Sequence, residues 1–457
     1  MPPLKPTAAG ISCCVEGEKH KLPLTLHFPA SLLLNGISLH FWFVAPRLIM
    51  ATLVVDNGAG MLKAGLVPKQ LDTASAELPV EPVCLPNCTA KSRAEKKFFV
   101  ADGLDTAVEL SALYIRRPHD RGYVVNWDLE GDVWQRMCHA DVLGVKPAET
   151  SVLVTEPLFC PSEIKDNMAE FIFEEMGFQR FCSAPAPLLA YADHRCWDPE
   201  SVLSRTGCGI VVDSGFSFTH TVPIYEGRIV YKACRRIDIG GKALTNLLKE
   251  TISNRQFNMM DETVLVNGIK ERLCFVSTSL DQDLRTCKKR GGANSIRRLY
   301  CLPTGLPGQD RLGHVVEPGQ ERGSSLPSTN AVGGGSTPAA SPSKRVKIDS
   351  KDTGSHAAAD KGASASGEAV SAAGRVWGED DAEEAYLEVG NERFTVPEVL
   401  FAPHMVGMRQ CGIHHTIASS ISLLDPDLHS LLYSTIVAYG GNTRMPGCSN
   451  PARALAS

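Results

Sequence analysis

Two short apolar runs organise the reading of this chain. Leu53-Val54-Val55 and Ile210-Val211-Val212 are apolar and each ends in a β-branched Val pair that closes on an acid and a glycine: "VVDNG" from Val54, "VVDSG" from Val211. Apolar runs that end in turn residues predict strand–turn–strand units. The second unit is expected over residues 209–213 and 218–225. Helical spacing appears elsewhere. Ile164, Met168, Phe171 and Ile172 fall on one face, with Ser162 placed to cap it. Leu244, Leu247, Leu248 and Ile252 repeat at helical intervals after Gly240-Gly241. Strands alternating with helices predict an α/β protein.

Between about residues 290 and 381 this patterning stops. "GGGSTPAASPSK" and "AAADKGASASGEAVSAAG" carry too little apolar surface to offset the entropy of ordering. The stretch is expected to be a disordered surface insertion. Order resumes at "YLEVGNERFTVPEVLF", from Tyr386. Four zones follow: residues 1–49, an extension outside the fold; 50–289, the first part of a core; 290–381, the insertion; and 382–457, the second part.

Composition narrows the class. The 457 residues allow two or three domains, and 43% hydrophobic with 21% charged residues is the balance of a soluble globular chain. A net charge of −5 argues against a general nucleic-acid-binding surface. The apolar stretch over residues 22–50 is interrupted by His27, Pro29, Asn35, His40 and Pro46, which predicts neither a membrane span nor a standard signal peptide. The fifteen cysteines are scattered, and Cys84 and Cys88 lack a downstream partner pair at zinc spacing. They read as thiols of a reduced chain.

Candidate chemistry enters with the turns. Taken alone, Asp-Asn-Gly-Ala-Gly with Lys63 three residues on is either an ordinary hairpin turn or a phosphate cradle. Its repetition at Asp213 suggests an internally duplicated core with a ligand between the halves. The paired turns would offer backbone N–H groups to a polyphosphate, and Asp56 and Asp213 would balance a divalent cation through water. Two structural hairpins are the alternative.

The chain resembles actin and the actin-related proteins over roughly residues 50–447, the insertion apart. "VVDNGAGMLKAG" resembles the first phosphate loop, "VVDSGFSFTHTVPIYEG" the second, and "YGGNTRMPG" the adenosine-side glycine turn. "GNERFTVPEVLFAP" and "CGIHHTIASSI" resemble the segment between. "GYVVNWDLEGDVW", "VKPAETSVLVTEP", "FIFEEMGFQ", "RIDIGGKALTNLLKE" and "RQFNMMDET" lie closer to a nuclear branch of the family than to conventional actin. The resemblance implies the actin-like ATPase fold: a duplicated ribonuclease H-like core and four subdomains around a nucleotide cleft. It further implies ATP or ADP with magnesium as cofactor. The role implied is that of a structural subunit in a chromatin remodeller that exchanges a histone variant. A zinc-HIT protein is the implied partner, histones and nucleosomes are contacted indirectly, and no membrane is involved. The implied location is the nucleus, with some protein in the cytoplasm.

Carried over residue by residue, the match assigns Asp56, Asn57, Gly58, Gly60 and Lys63 to the first phosphate loop and Asp213, Ser214, Gly215 and Thr219 to the second. Gly241, Lys270, Glu271, Gly440 and Gly441 would line ribose and adenine. Ala59 stands where the family has a serine, and Phe216-Ser217 where it has Asp-Gly. Glu170 takes the place of the glutamine that orients the attacking water, and His220 keeps the nearby histidine. These departures predict that nucleotide binding outlasts hydrolysis, which is expected to be very slow or absent. Within the insertion, "PSKRVKID" resembles a short nuclear-import signal through Lys344, Arg345 and Lys347, although most short basic runs are only solvated charge. The resemblance also leads to the expectation that Met50 is the natural start and that the family pattern continues beyond Ser457. A filament-forming actin and a sugar-kinase-like phosphotransferase remain as rival functions. The first lacks a recognisable subunit-gripping loop after Leu66, and the second lacks an identifiable catalytic base.

Overall fold

The computed structural model describes residues 51–67, 82–92, 97–107, 110, 113–290, 293–303, 310–316 and 385–448, and the backbone of 12–15 and 18–20. Its frame is two copies of one device. In the first, strands Ala51–Asn57 and Met61–Val67 form an antiparallel hairpin that sets Asp56 opposite Lys63. The strand Thr150–Glu156 runs parallel to the hairpin's first strand on its other side. In the second, Gly209–Ser214 and Thr219–Tyr225 pair with Ser214 opposite Thr219, and Ile436–Tyr439 runs parallel to the first of them. Both hairpins thus turn one residue after their acid, and the second spans residues 209–214 and 219–225 where 209–213 and 218–225 are expected.

Alternation along each central strand sorts its side chains to two cores. Leu53 and Val55 join Val152, Val154, Trp134, Met137, Phe171 and Phe178, whereas Val54 packs with Leu153 and Ala184. Ile210 and Val212 meet Ile417, Ile421 and Leu432, and Val211 faces Leu158, Tyr191, Leu203, Val222 and Ile224. Each such fully buried aliphatic side chain stabilises by about 1.5–3 kcal/mol relative to exposure. Apolar burial on both faces explains why these strands read as unbroken hydrophobic runs.

The helix Gly241–Arg255 buries Leu244, Leu248 and Ile252, with Leu247 at the edge of the same cluster, matching the expected face. The helix Ser162–Glu170 differs in detail. Pro161 holds the cap position and Ser162 is the first helical residue, without a capping hydrogen bond. The helix then widens into a π turn, Phe171–Glu175, which buries Phe171 and Ile172.

Two sequence boundaries are corrected. Strands Arg298–Cys301 and His314–Val316, inside the stretch expected to be disordered, pair with Tyr386–Val389, and Tyr300 is fully buried. Short runs such as "RLYC" and "HVV" are masked by the surrounding Gly and Pro when composition is averaged. Ser12–Val15, within the extension expected to lie outside the fold, pairs antiparallel with Arg180–Pro185, and Glu18–His20 pairs on its other side as the edge strand. Most of the low-complexity stretch lies outside the described residues, and Lys344, Arg345 and Lys347 lie there with it.

Candidate functional site

The two turns face each other, and each is fastened by its flanking parallel strand. The Asp56 carboxylate accepts from Thr155 Oγ1 at 2.9 Å and from Lys63 Nζ at 3.0 Å. Asn57 N–H donates to Thr155 Oγ1 at 3.0 Å, and Gly58 N–H to the Asp56 carbonyl at 3.0 Å. Behind the loop, Arg117 Nη1 gathers three carbonyls: Gly60 at 3.1 Å, Asn87 at 3.2 Å and Ala59 at 3.4 Å. Asn87 Nδ2 holds Gly58 O at 3.1 Å.

The second turn is held from below. Ser214 and Thr219 hydroxyls are 2.9 Å apart, and Thr219 Oγ1 donates to Ile239 O. Gly215 N–H donates to Phe218 O, while Gly241 and Lys242 N–H donate to Gly215 O and Phe216 O. The helix N-terminus that could greet a phosphate thus already caps this loop. Asn442 Nδ2 reaches across to Ser214 Oγ at 3.1 Å and Gly215 O at 2.8 Å. Gly440 passes so close to the Ser214 backbone, at φ +102°, that a side chain would collide with it. Burial, reinforced by the charge of Asp56, pushes the Asp213 carboxyl up to about 7, against the pull of Tyr439 and Lys63. The structure therefore brings both acids and both glycine turns to one place.

On the expected adenosine side, Lys270 is buried, its amine spent on Asn267 Oδ1, Thr245 Oγ1 and Gly241 O. Burial lowers its pKa. Glu271 is exposed and accepts from Asn267 Nδ2 at 2.8 Å, and Gly441 faces open space.

Whether this cleft fits a polyphosphate turns on Phe216. A Cβ built on Gly60 would lie 3.0 Å from Phe216 Cβ, Cγ and Cδ2, so the ring occupies the space in front of the loop glycine. The Arg117 guanidinium stacks 4.5 Å from the ring centroid. The adenosine side leaves room at Gly441. The passage between the two phosphate loops, as it stands, does not fit a polyphosphate.

The expected water-positioning residues are separated in character. His220 is 1% exposed, its ring centroid 4.4 Å from that of Phe218, and neither ring nitrogen has a partner among the described residues. Burial, aided by Arg236, lowers its pKa to about 4, so the ring is neutral. Glu170 is exposed at the end of its helix, where the π turn begins.

Beneath the first loop lies a polar cluster that sequence reasoning missed. Glu130 is fully buried, accepts from Trp134 Nε1 at 3.0 Å, and places Oε2 3.7 Å from His119 Nδ1. Asn57 Oδ1, Asn87 Oδ1, His119 Nδ1 and Glu130 Oε2 are all buried without a partner among the described residues. Asn442 could have been found, since it follows the glycine pair directly. Arg117, Asn87 and Thr155 carry no such signal.

The comparisons agree with this arrangement. Residues 48–450 match the family profile described as Actin. The chain is 36% identical over 395 residues to Actin-related protein 6 of Oryza sativa subsp. indica, covering 86% of this chain and 82% of that one. It is 35% identical over 398 residues to Actin-related protein 6 of Arabidopsis thaliana, with coverages of 86% and 82%. Actin-related protein 6 of Drosophila melanogaster is 30% identical over 398 residues, with coverages of 87% and 83%. With a duplicated α/β core, paired acid–glycine turns and a profile match over most of its length, this chain belongs to the actin family, among its actin-related proteins.

Proposed function

We propose that the chain is a non-hydrolysing structural subunit of a nuclear chromatin-remodelling assembly that exchanges a histone variant, joined to it through a zinc-HIT partner. The observation that carries the non-hydrolysing part is Phe216, whose ring fills the space in front of the first loop's Gly60 where a polar turn residue would face the phosphates. The assembly part is supported by likeness to proteins named Actin-related protein 6 and by the family resemblance of the motifs. Adenine nucleotide, where it binds, is a ligand of the scaffold and not a substrate. Import is assigned to Lys344, Arg345 and Lys347.

The test is affinity purification of the tagged full chain from nuclear extract with mass spectrometry, beside a single-turnover ATP hydrolysis assay. Remodeller subunits including a zinc-HIT protein should co-purify, and turnover should be far below that of conventional actin. Sedimentation of the chain as filaments with ATP and magnesium, or turnover at actin's rate, would refute the reading.

A further inference from the structure

We propose that Phe216 and Arg117 form an internal lock that bridges the two phosphate loops in place of a polyphosphate, so that the closed cleft is this protein's ligand-free state. The proposal rests on the reading of the cleft as an adenine-nucleotide site and concerns what now fills it. Three independent contacts meet at one point. The Phe216 ring, carried by the second loop, abuts the backbone of Gly60 in the first. Arg117 lies on that ring at 4.5 Å, a cation–π contact in a partly dry setting. The same guanidinium, through Nη1, holds Ala59 O, Gly60 O and Asn87 O. One side chain thus grips the first loop by its carbonyls and the second by its aromatic ring.

The chemistry of the grip is the inverse of a phosphate's. A phosphate between these loops would accept from their N–H groups. Here a cation donates to their carbonyls. Asn57, Gly58 and Gly215 have their N–H groups engaged within the protein, and the helix Gly241–Arg255 spends its first two on the second loop. Among the described residues the hydrogen-bond acceptors of Arg117 are carbonyl oxygens and no carboxylate, so its charge is offset only by carbonyl dipoles and the ring face. A polyphosphate enters only when the ring is displaced, and the energy of the lock is then subtracted from its affinity.

The experiment titrates the isolated full chain and its Phe216→Gly variant with a fluorescent ATP analogue in magnesium, and follows amide hydrogen exchange over residues 58–62. The lock predicts at least tenfold tighter binding by Phe216→Gly than by the unaltered chain, a difference of about 1.4 kcal/mol. It also predicts that nucleotide-induced protection of those amides appears at a correspondingly lower nucleotide concentration in Phe216→Gly than in the unaltered chain. Equal or weaker binding by the variant, or protection that appears at the same nucleotide concentration in both proteins, overturns the proposal. Should Phe216→Gly fail to fold, Arg117→Met releases the ring and the carbonyls while keeping side-chain length, and the same tenfold gain is required of it. None of these readouts involves the remodelling assembly, so the outcome is separate from that of the purification test.

Discussion

Replacing Glu130 with glutamine should make the protein more stable in mild alkali while changing little in mild acid. Burial raises the Glu130 carboxyl from 4.5 to about 7, with Asn57, Trp134 and Asn87 only partly offsetting it. A carboxyl held protonated by the fold supports folding fully below its unfolded value, and that support is lost as the pH rises through the folded one. The shift corresponds to about 3 kcal/mol, at about 1.4 kcal/mol per unit. Most of it, roughly 2.5 kcal/mol, is lost between pH 5 and pH 8. The partner behaves oppositely. Burial, with Arg117 nearby, lowers His119 from 6.5 to about 4, so its support is lost as the pH falls from 6.5 toward 4. Between about 4.5 and 6.5 the two slopes cancel, because the folded pair and the unfolded pair then bind the same number of protons.

Glutamine keeps the acceptor that Trp134 Nε1 uses and sets an amide donor opposite the unpartnered His119 Nδ1. It removes only the alkaline limb of the profile. Folded His119 and His220, each lowered to about 4, are already neutral over pH 5 to pH 8, so their contributions largely drop out of the difference. At roughly 1–2 °C per kcal/mol for a fold of this size, from an unfolding entropy of about 2.1 cal/mol/K per residue, the melting-temperature gap between Glu130→Gln and the unaltered chain should widen by about 2–5 °C from pH 5 to pH 8. Differential scanning fluorimetry in matched-ionic-strength buffers measures it. A gap that stays constant across that range refutes the buried-proton argument, whatever its size.

Further expectations separate folding from binding. Gly440→Ala should be strongly destabilising, because the residue sits at φ +102° against the Ser214 backbone, whereas Gly441→Ala meets open space and should melt normally; equal melting temperatures would contradict this, and any loss of nucleotide affinity in Gly441→Ala then reports on the ligand. Asn442→Ala should cost about 1–3 kcal/mol in denaturant unfolding, since it orphans a buried contact to Gly215 O and Ser214 Oγ. Leu248→Ala, a fully buried side chain in the largest core cluster, should cost about 2–5 kcal/mol by the same measurement, and a smaller loss would mean that the helix Gly241–Arg255 repacks.

What was legible in the sequence follows from how local its cause is. The hairpins at Asp56 and Asp213 declare themselves because apolar run, acid and glycine are contiguous, and the helix Gly241–Arg255 because its apolar face repeats within the element. Glu130 misleads. In "NWDLEGDVW" it reads as a polar helix position, yet the helix Trp127–Cys138 turns that position inward beneath the first loop. Arg117 is more remote still, acting on Gly60 across 57 residues of chain. Phe216 could be named as a departure from the family pattern, but its meeting with Gly60 depends on how two separate sheets are set against each other. The strand Ser12–Val15 escaped for a similar reason, since its pairing with Arg180–Pro185 spans most of the first half of the chain.

The lock and the proposed scaffold role bear on each other through mass action. A ligand that bridges two loops adds stability only in proportion to the logarithm of its concentration over its dissociation constant, about 2.7 kcal/mol at a hundredfold excess and nothing in its absence. A conventional nucleotide cleft therefore has a stability, and a degree of closure, that follow nucleotide supply. With Phe216 and Arg117 the bridge is covalently part of the chain, and its effective concentration does not vary. The same substitution that removes a polar group from the turn thus also removes the reason the turn needed a ligand. For an enzyme this would be a loss twice over. For the scaffold role proposed above, it would hold the two loops at one separation whatever the nucleotide supply, with the aromatic ring itself standing between them.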